Sequence, residues 1–232
     1  MNPQTLAIIA VSGRRQQNEG RVWDMTTALI ILGAGMGTRM NSDLPKVLHP
    51  IGGAPIIVHA MRAGGGLAPE KTVIVAGHGA EAVSQAALDY DPDAQTVLQT
   101  EQLGTAHAVG CARDALAGFK GDAVVLYGDT PFISVNTLES MGAARASHDI
   151  VVLGFEAADP GRYGRLITDG NALTRIVEFK DSTDEERAVT LCNSGVIMAR
   201  ADALFDLIDA VGNDNAAGEY YLTDIVEIGR AM

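Results

Sequence analysis

The sequence predicts an α/β fold with a Rossmann-like sheet that is mixed, mostly parallel and covered by helices on both faces. Three observations predict it. Short apolar segments alternate with helical segments from residue 28 onward. These apolar segments are continuous, which is typical of parallel strands buried on both faces. A glycine-rich turn at 33–37 follows the first of them, and parallel α/β sheets commonly bind ligands at such a turn.

The individual elements follow from local patterns in chain order. Apolar runs predict five buried strands, at residues 28–32, 72–76, 96–98, 123–127 and 150–155. Helical segments separate them, at residues 55–63, 80–88, 105–116 and 135–146. Pro55 suits a first helical turn, and the glycines at 64–66 end that helix. Three closely spaced strands then predict an antiparallel extension, at residues 164–168, 172–179 and 191–199. Two helices close the chain, at residues 201–211 and 221–231.

The chain of 232 residues divides unequally. Residues 1–25 contain a polar run at 14–19 without helical or strand periodicity, so we expect a loosely ordered N-terminal extension. Residues 26–232 are expected to form the domain, in which the charged run 181–186 is interpreted as a solvated loop.

Composition excludes several classes of function. With 17 Lys and Arg against 29 Asp and Glu, the net charge of −12 argues against binding nucleic acid or an anionic membrane through a broad basic face. Cys111 and Cys192 form no C-x-x-C pair, so neither a disulfide framework nor a thiolate zinc site is expected. No apolar run approaches the ~20 residues that span a bilayer. The expected location is therefore the cytoplasm.

The glycine-rich loop allows three nucleotide-binding interpretations. The dinucleotide pattern G-x-G-x-x-G fails because Thr38 stands at its third glycine position, and no G-K-[ST] motif of a phosphate-binding loop occurs. The third pattern is G-x-G-T-R at 35–39, followed by Pro45 and Lys46. Arg39 and Lys46 could hold a triphosphate while backbone amides approach its phosphates. The alternative is an ordinary glycine turn beside two surface cations.

Asp129 ends the apolar run 123–127 after Gly128. A carboxylate at the carboxyl edge of a parallel sheet can hold Mg²⁺, which prefers oxygen ligands and bridges phosphates. An aspartate in a turn or at a helix N-cap is the alternative interpretation.

Taken together, an ordered set of motifs is far more specific than any one of them. The set comprises L-G-A-G-M-G-T-R at 32–39, L-P-K-V-L at 44–48, Q-T-E-Q-L-G-T-A-H-A at 99–108, Y-G-D-T-P at 127–131, Y-G-R at 163–165, I-V-E-F-K-D at 176–181, C-N-S-G at 192–195 and G-E-Y-Y-L-T-D at 218–224. From Thr26 to Met232 the chain closely resembles the uridylyltransferase domain of bacterial bifunctional N-acetylglucosamine-1-phosphate uridylyltransferase/glucosamine-1-phosphate acetyltransferases.

The resemblance implies a fold of the nucleotide-diphospho-sugar transferase type and a reaction of UTP with N-acetylglucosamine 1-phosphate. The products would be UDP-N-acetylglucosamine, a precursor of peptidoglycan and lipopolysaccharide, and pyrophosphate. It also implies Mg²⁺ as cofactor, bound by Asp129, with Arg39 and Lys46 neutralising the phosphates.

The resemblance further implies which residues surround the substrates. Leu32, Gly33, Ala34 and Gly35 would line the uridine and phosphates, and Gln99, Gly104 and Thr105 would read uracil. The sugar would be surrounded by Tyr127, Gly164, Glu178 and Asn193, and Gly128 would also belong to the substrate-binding residues. Glu219, Tyr221 and Thr223 would lie near its N-acetyl group. Gly33 departs from the family, which usually has Ala there.

The family has two further parts that this sequence does not contain: a strand with an Asn that is a second magnesium ligand, and an acetyltransferase domain of hexapeptide repeats. Acetyltransferase activity and trimers are therefore not expected. One alternative is an inactive or weakly active fragment that only binds UDP-sugars. Another is a pyrophosphorylase for a different sugar 1-phosphate.

Overall fold

The computed structural model describes residues 6–11, 26–35, 37, 42–170 and 172–232. The strands found there are β1 (Leu6–Val11), β2 (Thr27–Gly33), β3 (Pro50–Ile51), β4 (Ala54–Pro55), β5 (Lys71–Ala76), β6 (Gln95–Leu98), β7 (Asp122–Tyr127), β8 (Ile150–Glu156), β9 (Arg165–Asp169), β10 (Ala172–Val177) and β11 (Leu191–Arg200). The helices are α1 (Ile56–Gly65), α2 (Ala80–Tyr90), α3 (Thr105–Gly110), α4 (Val135–Arg145), α5 (Asp184–Arg187), α6 (Ala201–Asp209) and α7 (Ile225–Ala231).

The main sheet has the strand order β1-β8-β11-β7-β2-β5-β6. Strand β2 pairs in parallel with β5 and β7, and β5 pairs in parallel with β6. Strand β11 runs antiparallel to both β7 and β8, so β8 has the same direction as the parallel strands. A ladder of β9 and β10 joins the sheet at β11. The predicted mixed, mostly parallel sheet is confirmed.

Helices cover both faces of the sheet, as predicted. Strand β2 is buried throughout, and its side chains alternate between the two faces. Ala28, Ile30 and Leu32 belong to the core that includes apolar residues of α3, α6 and α7. Leu29 and Ile31 belong to the core that includes residues of α1, α2 and α4. This two-sided burial explains the continuous apolar run in the sequence.

The expectation of a loosely ordered N-terminal extension is wrong for Leu6–Val11. These residues form β1, which pairs antiparallel with β8 from Leu6 opposite Phe155 to Val11 opposite Ile150. Val11 is 1% exposed, and its carbonyl accepts a hydrogen bond from the Asp149 amide at 3.0 Å. The free edge of β8 supplies the partner that makes this short apolar run a strand. The rest of the predicted extension lies outside the described residues.

Three predicted elements differ in detail. Helix α3 ends at Gly110, and a separate 3-10 turn covers Asp114–Leu116. The predicted last helix is a 3-10 turn at Leu222–Asp224 followed by α7. The segment expected to be a solvated loop contains α5, because Thr183 and Glu186 form a reciprocal capping box. None of the helices in the described ranges is long and apolar enough to cross a membrane.

Candidate active site

The candidate site lies at the carboxyl edge of the parallel strands, beside β2. The chain leaves β2 to build β5 and β6 on one side and later returns to add β7 on the other. Crevices open at such a reversal of strand order, outside the carboxyl ends of the strands. The Gly128 amide donates to the Leu32 carbonyl at 2.9 Å, which joins the end of β7 to the end of β2.

A cavity of about 460 Å³ occupies this position. Its wall contains eight of the predicted site residues: Leu32, Ala34, Gly35, Lys46, Gln99, Gly104, Thr105 and Tyr127. Asp129 and Glu219, also predicted, complete this part of the wall. Four further residues line the cavity without having been assigned to the site from the sequence: Gly37, Val47, Gln102 and Ala108. All four lie within the quoted motifs, so motif membership is the signal that could have identified them.

Lys46 and Asp129 face each other across the cavity wall. The Lys46 Nζ atom lies 2.6 Å from Asp129 Oδ2, and the two side chains are 43% and 33% exposed. A pair this accessible to water contributes about 0–1 kcal/mol to stability. Either partner can therefore turn to a ligand at little cost.

The turn after β2 packs closely on Lys46. Gly37 has a φ of +59°, and a Cβ atom on it would lie 2.9 Å from the Cβ of Lys46. Glycine satisfies both the left-handed backbone and the close approach. Arg39, the second predicted phosphate-binding cation, lies outside the described residues.

Two of the predicted glycines are packing residues. Gly33 ends β2 and is buried, and a Cβ there would lie 3.1 Å from Ile57 Cδ1 on α1. A Cβ on Gly128 would lie 3.0 Å from the Leu32 carbonyl oxygen. Neither glycine lines the cavity, although both hold the strand ends that form it.

The segment from Gln99 to Thr105 forms the end of the cavity near β6. Gly104 has a φ of +116°, and a Cβ on it would lie 2.5 Å from the Tyr220 carbonyl oxygen. Thr105 Oγ1 accepts a hydrogen bond from the Leu222 amide at 2.8 Å. The segment that precedes α7 therefore holds Gly104 and Thr105 in place. Glu219, which the resemblance places at the N-acetyl group, also lies against Gly104.

A second group of predicted residues lies where β9, β10 and β11 meet the main sheet. A Cβ on Gly164 would lie 3.5 Å from both carboxylate oxygens of Glu178. Thr223 Oγ1 donates to Glu178 Oε1 at 3.3 Å. The Asn193 amide donates to the Gly164 carbonyl at 2.9 Å. Burial raises the pKa of Glu178, and the nearby carboxylates of Asp224 and others raise it further.

Tyr127 connects the two groups. It lines the cavity and shares a hydrogen bond with Thr105. Burial is the main cause that raises the pKa of its phenol, and the negative charge of Glu178 raises it further. Gly195, with a φ of +88°, leaves room for the ring, because a Cβ there would lie 2.6 Å from Tyr127 Cε2.

Tyr221 lies at the edge of the second group. Burial, followed by the charges of Asp181 and Glu219, raises its pKa to about 12. Burial and the charge of Glu227 raise the pKa of neighbouring Asp224 to about 6. The predicted sugar-binding residues therefore lie in a strongly acidic and poorly hydrated environment.

No cluster of three or more His, Cys, Asp or Glu side chains suited to a metal ion is found in the part of the chain that the structure describes. Asp129 nevertheless offers a partly exposed carboxylate to the cavity. One carboxylate is compatible with a Mg²⁺ ion whose remaining ligands are phosphate oxygens and water.

Comparison with known families decides the class of this site. A family model described as "MobA-like NTP transferase domain" matches residues 29–213. The chain belongs to this family. The nucleotidyltransferase class expected from the sequence is thereby supported, and all the residues that line the cavity except Glu219 lie within the matched region.

Three curated relatives specify the resemblance. "Bifunctional protein GlmU" of Ruegeria pomeroyi is 68% identical over 206 residues, which are 89% of this chain and 46% of the relative. The proteins of the same name from Ruegeria sp. and Roseobacter denitrificans are 65% and 64% identical over 207 residues, with the same coverage. The predicted resemblance to one part of the bifunctional enzymes is confirmed. The chain spans about half the length of these relatives.

Solved structures confirm the fold. A UDP-glucose pyrophosphorylase complexed with UDP-glucose superimposes with a TM-score of 0.73, covering 90% of this chain and 88% of that one. An apo UDP-glucose pyrophosphorylase gives a TM-score of 0.70. Both are 18% identical to this chain, so they establish the nucleotide-sugar transferase fold alone.

Proposed function

We propose that this chain is a uridylyltransferase that forms UDP-N-acetylglucosamine and pyrophosphate from UTP and N-acetylglucosamine 1-phosphate. The main support is the arrangement of one cavity. The Lys46–Asp129 pair lines the same cavity as Gln99, Gly104 and Thr105, and Tyr127 in the same wall also lies near Glu178 of the second group. A phosphate site, a base site and a sugar site next to one another match the three parts of this reaction.

The reaction is an in-line displacement. An oxygen of the sugar phosphate attacks the α-phosphorus of UTP, the bond from that phosphorus to the oxygen bridging to the β-phosphate breaks, and pyrophosphate leaves. The attacking phosphate is already ionised, so neither a general base nor a covalent enzyme intermediate is needed. Catalysis then consists of positioning and of neutralising charge between two anions.

Lys46 is the residue that best supplies this neutralisation. Its pair with Asp129 opens at a cost of about 0–1 kcal/mol, so phosphate oxygens can replace the carboxylate. Arg39 is proposed as the second cation on the basis of the G-x-G-T-R pattern. Its planar guanidinium suits two phosphate oxygens at once.

Asp129 would hold Mg²⁺ together with substrate phosphates. When bound there, the ion supplies positive charge that reduces repulsion between the two phosphate groups. Asp129 lies just beyond the carboxyl end of β7, where Gly128 packs against the end of β2.

Polar groups in the cavity wall and in the second group match the two ligands. The side-chain amide of Gln99 and the backbone near Gly104 can hydrogen-bond the edge of uracil. Glu178 and Asn193, together with Tyr221 and Thr223, offer acceptors and donors for sugar hydroxyls and the N-acetyl group.

The experiment is to incubate the 232-residue chain with UTP, Mg²⁺ and either N-acetylglucosamine 1-phosphate or glucose 1-phosphate, and to measure pyrophosphate. Release with the acetylated sugar alone supports the proposal. Release with glucose 1-phosphate alone indicates a pyrophosphorylase for another sugar. Thermal stabilisation by UDP-N-acetylglucosamine without any pyrophosphate indicates a fragment that binds and does not turn over.

A size-exclusion measurement on the same sample tests the expectation that this chain does not form trimers. Assay of acetyl transfer from acetyl-CoA to glucosamine 1-phosphate tests the expectation that this second activity is absent.

A further inference from the structure

Gln99 is held in one orientation of its side-chain amide. The residue follows β6, is 4% exposed and lines the cavity. Its Nε2 atom lies 3.1 Å from the Gly104 carbonyl oxygen, which also accepts the Ala108 amide at the start of α3. A carbonyl oxygen only accepts hydrogen bonds. The amide nitrogen of Gln99, and not its oxygen, must therefore face Gly104.

His107 receives the second hydrogen of the same amide. Its Nδ1 atom lies 3.0 Å from Gln99 Nε2. Because Nε2 can only donate, Nδ1 must be the unprotonated nitrogen of the ring, and the imidazole carries its proton on Nε2. Both hydrogens of the Gln99 amide thus have acceptors, one on the backbone and one on α3. Turning the amide over would place its oxygen against the Gly104 carbonyl oxygen, which cannot donate, and would require His107 to carry its proton on Nδ1.

The fixed amide determines what the cavity wall offers to a ligand. Among the residues that the structure describes, none donates a hydrogen bond to Gln99 Oε1, and this oxygen is not among their buried unpaired polar atoms. Gln99 therefore presents an acceptor to the cavity. Uracil has a donor, N3–H, in the position where cytosine has an acceptor, N3. An oxygen in this position accepts from uracil and repels cytosine.

From this geometry we infer that His107 is a positioning residue for base selection: together with the Gly104 carbonyl, it holds the Gln99 amide so that the cavity favours uracil over cytosine. The inference rests on the proposed function, which places a uridine nucleotide in this cavity. His107 itself need not contact the nucleotide. It acts through Gln99, in the way that a second hydrogen-bond partner orients a ligating side chain in a metal site.

Calorimetric titration with UDP, CDP and inorganic pyrophosphate tests the inference in the full chain. Two variants are nearly isosteric at Nδ1: His107→Leu removes the acceptor, whereas His107→Asn can place Oδ1 at the same point. His59→Leu is the matched control, since His59 bonds the Ile51 carbonyl in the β3–β4 hairpin.

The wild-type chain should bind UDP at least about 10-fold more tightly than CDP, as expected for a fixed amide reading one base edge. His107→Leu should weaken UDP about 3–10-fold and bring the UDP-to-CDP ratio towards one, with pyrophosphate unchanged. His107→Asn should restore most of the ratio, and His59→Leu should leave it intact. A purely structural role would weaken all three ligands alike.

The outcomes separate the inference from the proposed function. A wild-type chain without a preference for UDP overturns both. A preference that survives in His107→Leu overturns the role of His107 alone, as does an equal loss for UDP, CDP and pyrophosphate. Nitrogen-15 NMR of the UDP-bound wild type shows which ring nitrogen of His107 carries the proton, and this measurement does not require that His107→Leu folds. The ring signals of His107 are assigned by their absence from the spectrum of His107→Asn. A protonated Nδ1 on His107 contradicts the inference, and a proton on Nε2 supports it.

Discussion

The pairing of β1 with β8 can be tested by mutation. It is a useful test of the structure because no pattern in the sequence indicates that β8 is the partner of β1. Val11 is 1% exposed at one end of β1, whereas Leu6 is 50% exposed at the other. Val11→Ala removes two buried methyl groups, each worth about 0.8 kcal/mol of transfer free energy, and leaves a small cavity. The expected loss in free energy of unfolding is about 2 kcal/mol. For a domain of this size that corresponds to roughly 4–8 °C in Tm.

Urea denaturation and thermal melts of the two alanine variants measure this effect. Leu6→Ala is the matched control in the same strand, and it should cost only about 1 kcal/mol, although it removes three carbon atoms, because half of that side chain is in water already. If Val11→Ala is as mild as Leu6→Ala, β1 does not pair with β8 in solution. Removal of residues 1–25 should then also leave Tm unchanged, whereas the pairing in the structure predicts a loss at least as large as that of Val11→Ala.

Two further predictions concern the site. Lys46→Ala and Asp129→Ala should each lower kcat about 10²–10³-fold, as removal of one electrostatic contact to a transition state does, while the free energy of unfolding changes by no more than about 1 kcal/mol. The control Lys120→Ala, at the opposite edge of the sheet, should keep wild-type kcat. Wild-type turnover in either site variant would refute the assignment. Asp224→Asn should raise Tm at pH 7.5 and not at pH 4. The folded-state pKa of Asp224 is about 6, which means that the folded protein disfavours the charged carboxylate. The stability of the wild type therefore falls as pH rises through the window from about 4 to 6, and the variant avoids this loss. After allowance for its exposure the gain is about 1 kcal/mol, and an equal shift in Tm at both pH values would contradict this reasoning.

The parallel half of the fold could be predicted because its signal is local. Strands such as β2 and β7 are continuous apolar runs, and burial on both faces follows from composition alone. Strand β1 depends on a free edge of β8, 139 residues away for the pair Val11 and Ile150, which no local pattern records. Helix α5 depends on a capping box of two residues within a highly charged segment. Elements such as β1 and α5 could not be predicted from local patterns, because β1 depends on a distant strand and α5 depends on the contacts of two side chains.

The candidate site shows the same division. Lys46 and Asp129 could be predicted to meet, because both follow elements that end at one edge of the sheet. The packing roles of Gly33 and Gly128 could not, because they depend on how closely α1 and β2 approach. The histidines of the sequence show no metal-ligand spacing, and the sequence assigned no role to His107. Its contact with Gln99 exists only because α3 starts beside the end of β6.

The distribution of charge explains how a chain with a net charge of −12 could orient two anionic substrates. Lys46 is the cation at the proposed phosphate position, where it pairs with Asp129. In and beside the second group, Glu178 and Asp224 have raised pKa values, caused by burial and by neighbouring carboxylates. Hydroxyl and amide donors of a sugar relieve that repulsion, and a phosphate adds to it.

For the proposed substrates this asymmetry acts on orientation rather than on affinity. A sugar phosphate that enters with its phosphate towards Lys46 places its hydroxyls at Glu178. The reverse orientation brings a dianion against Glu178, Asp181 and Asp224, and a juxtaposition of like charges costs several kcal/mol. The carboxylates therefore select the productive orientation by excluding the other. Long-range attraction is not required, because the charges that discriminate between the two orientations act at short range.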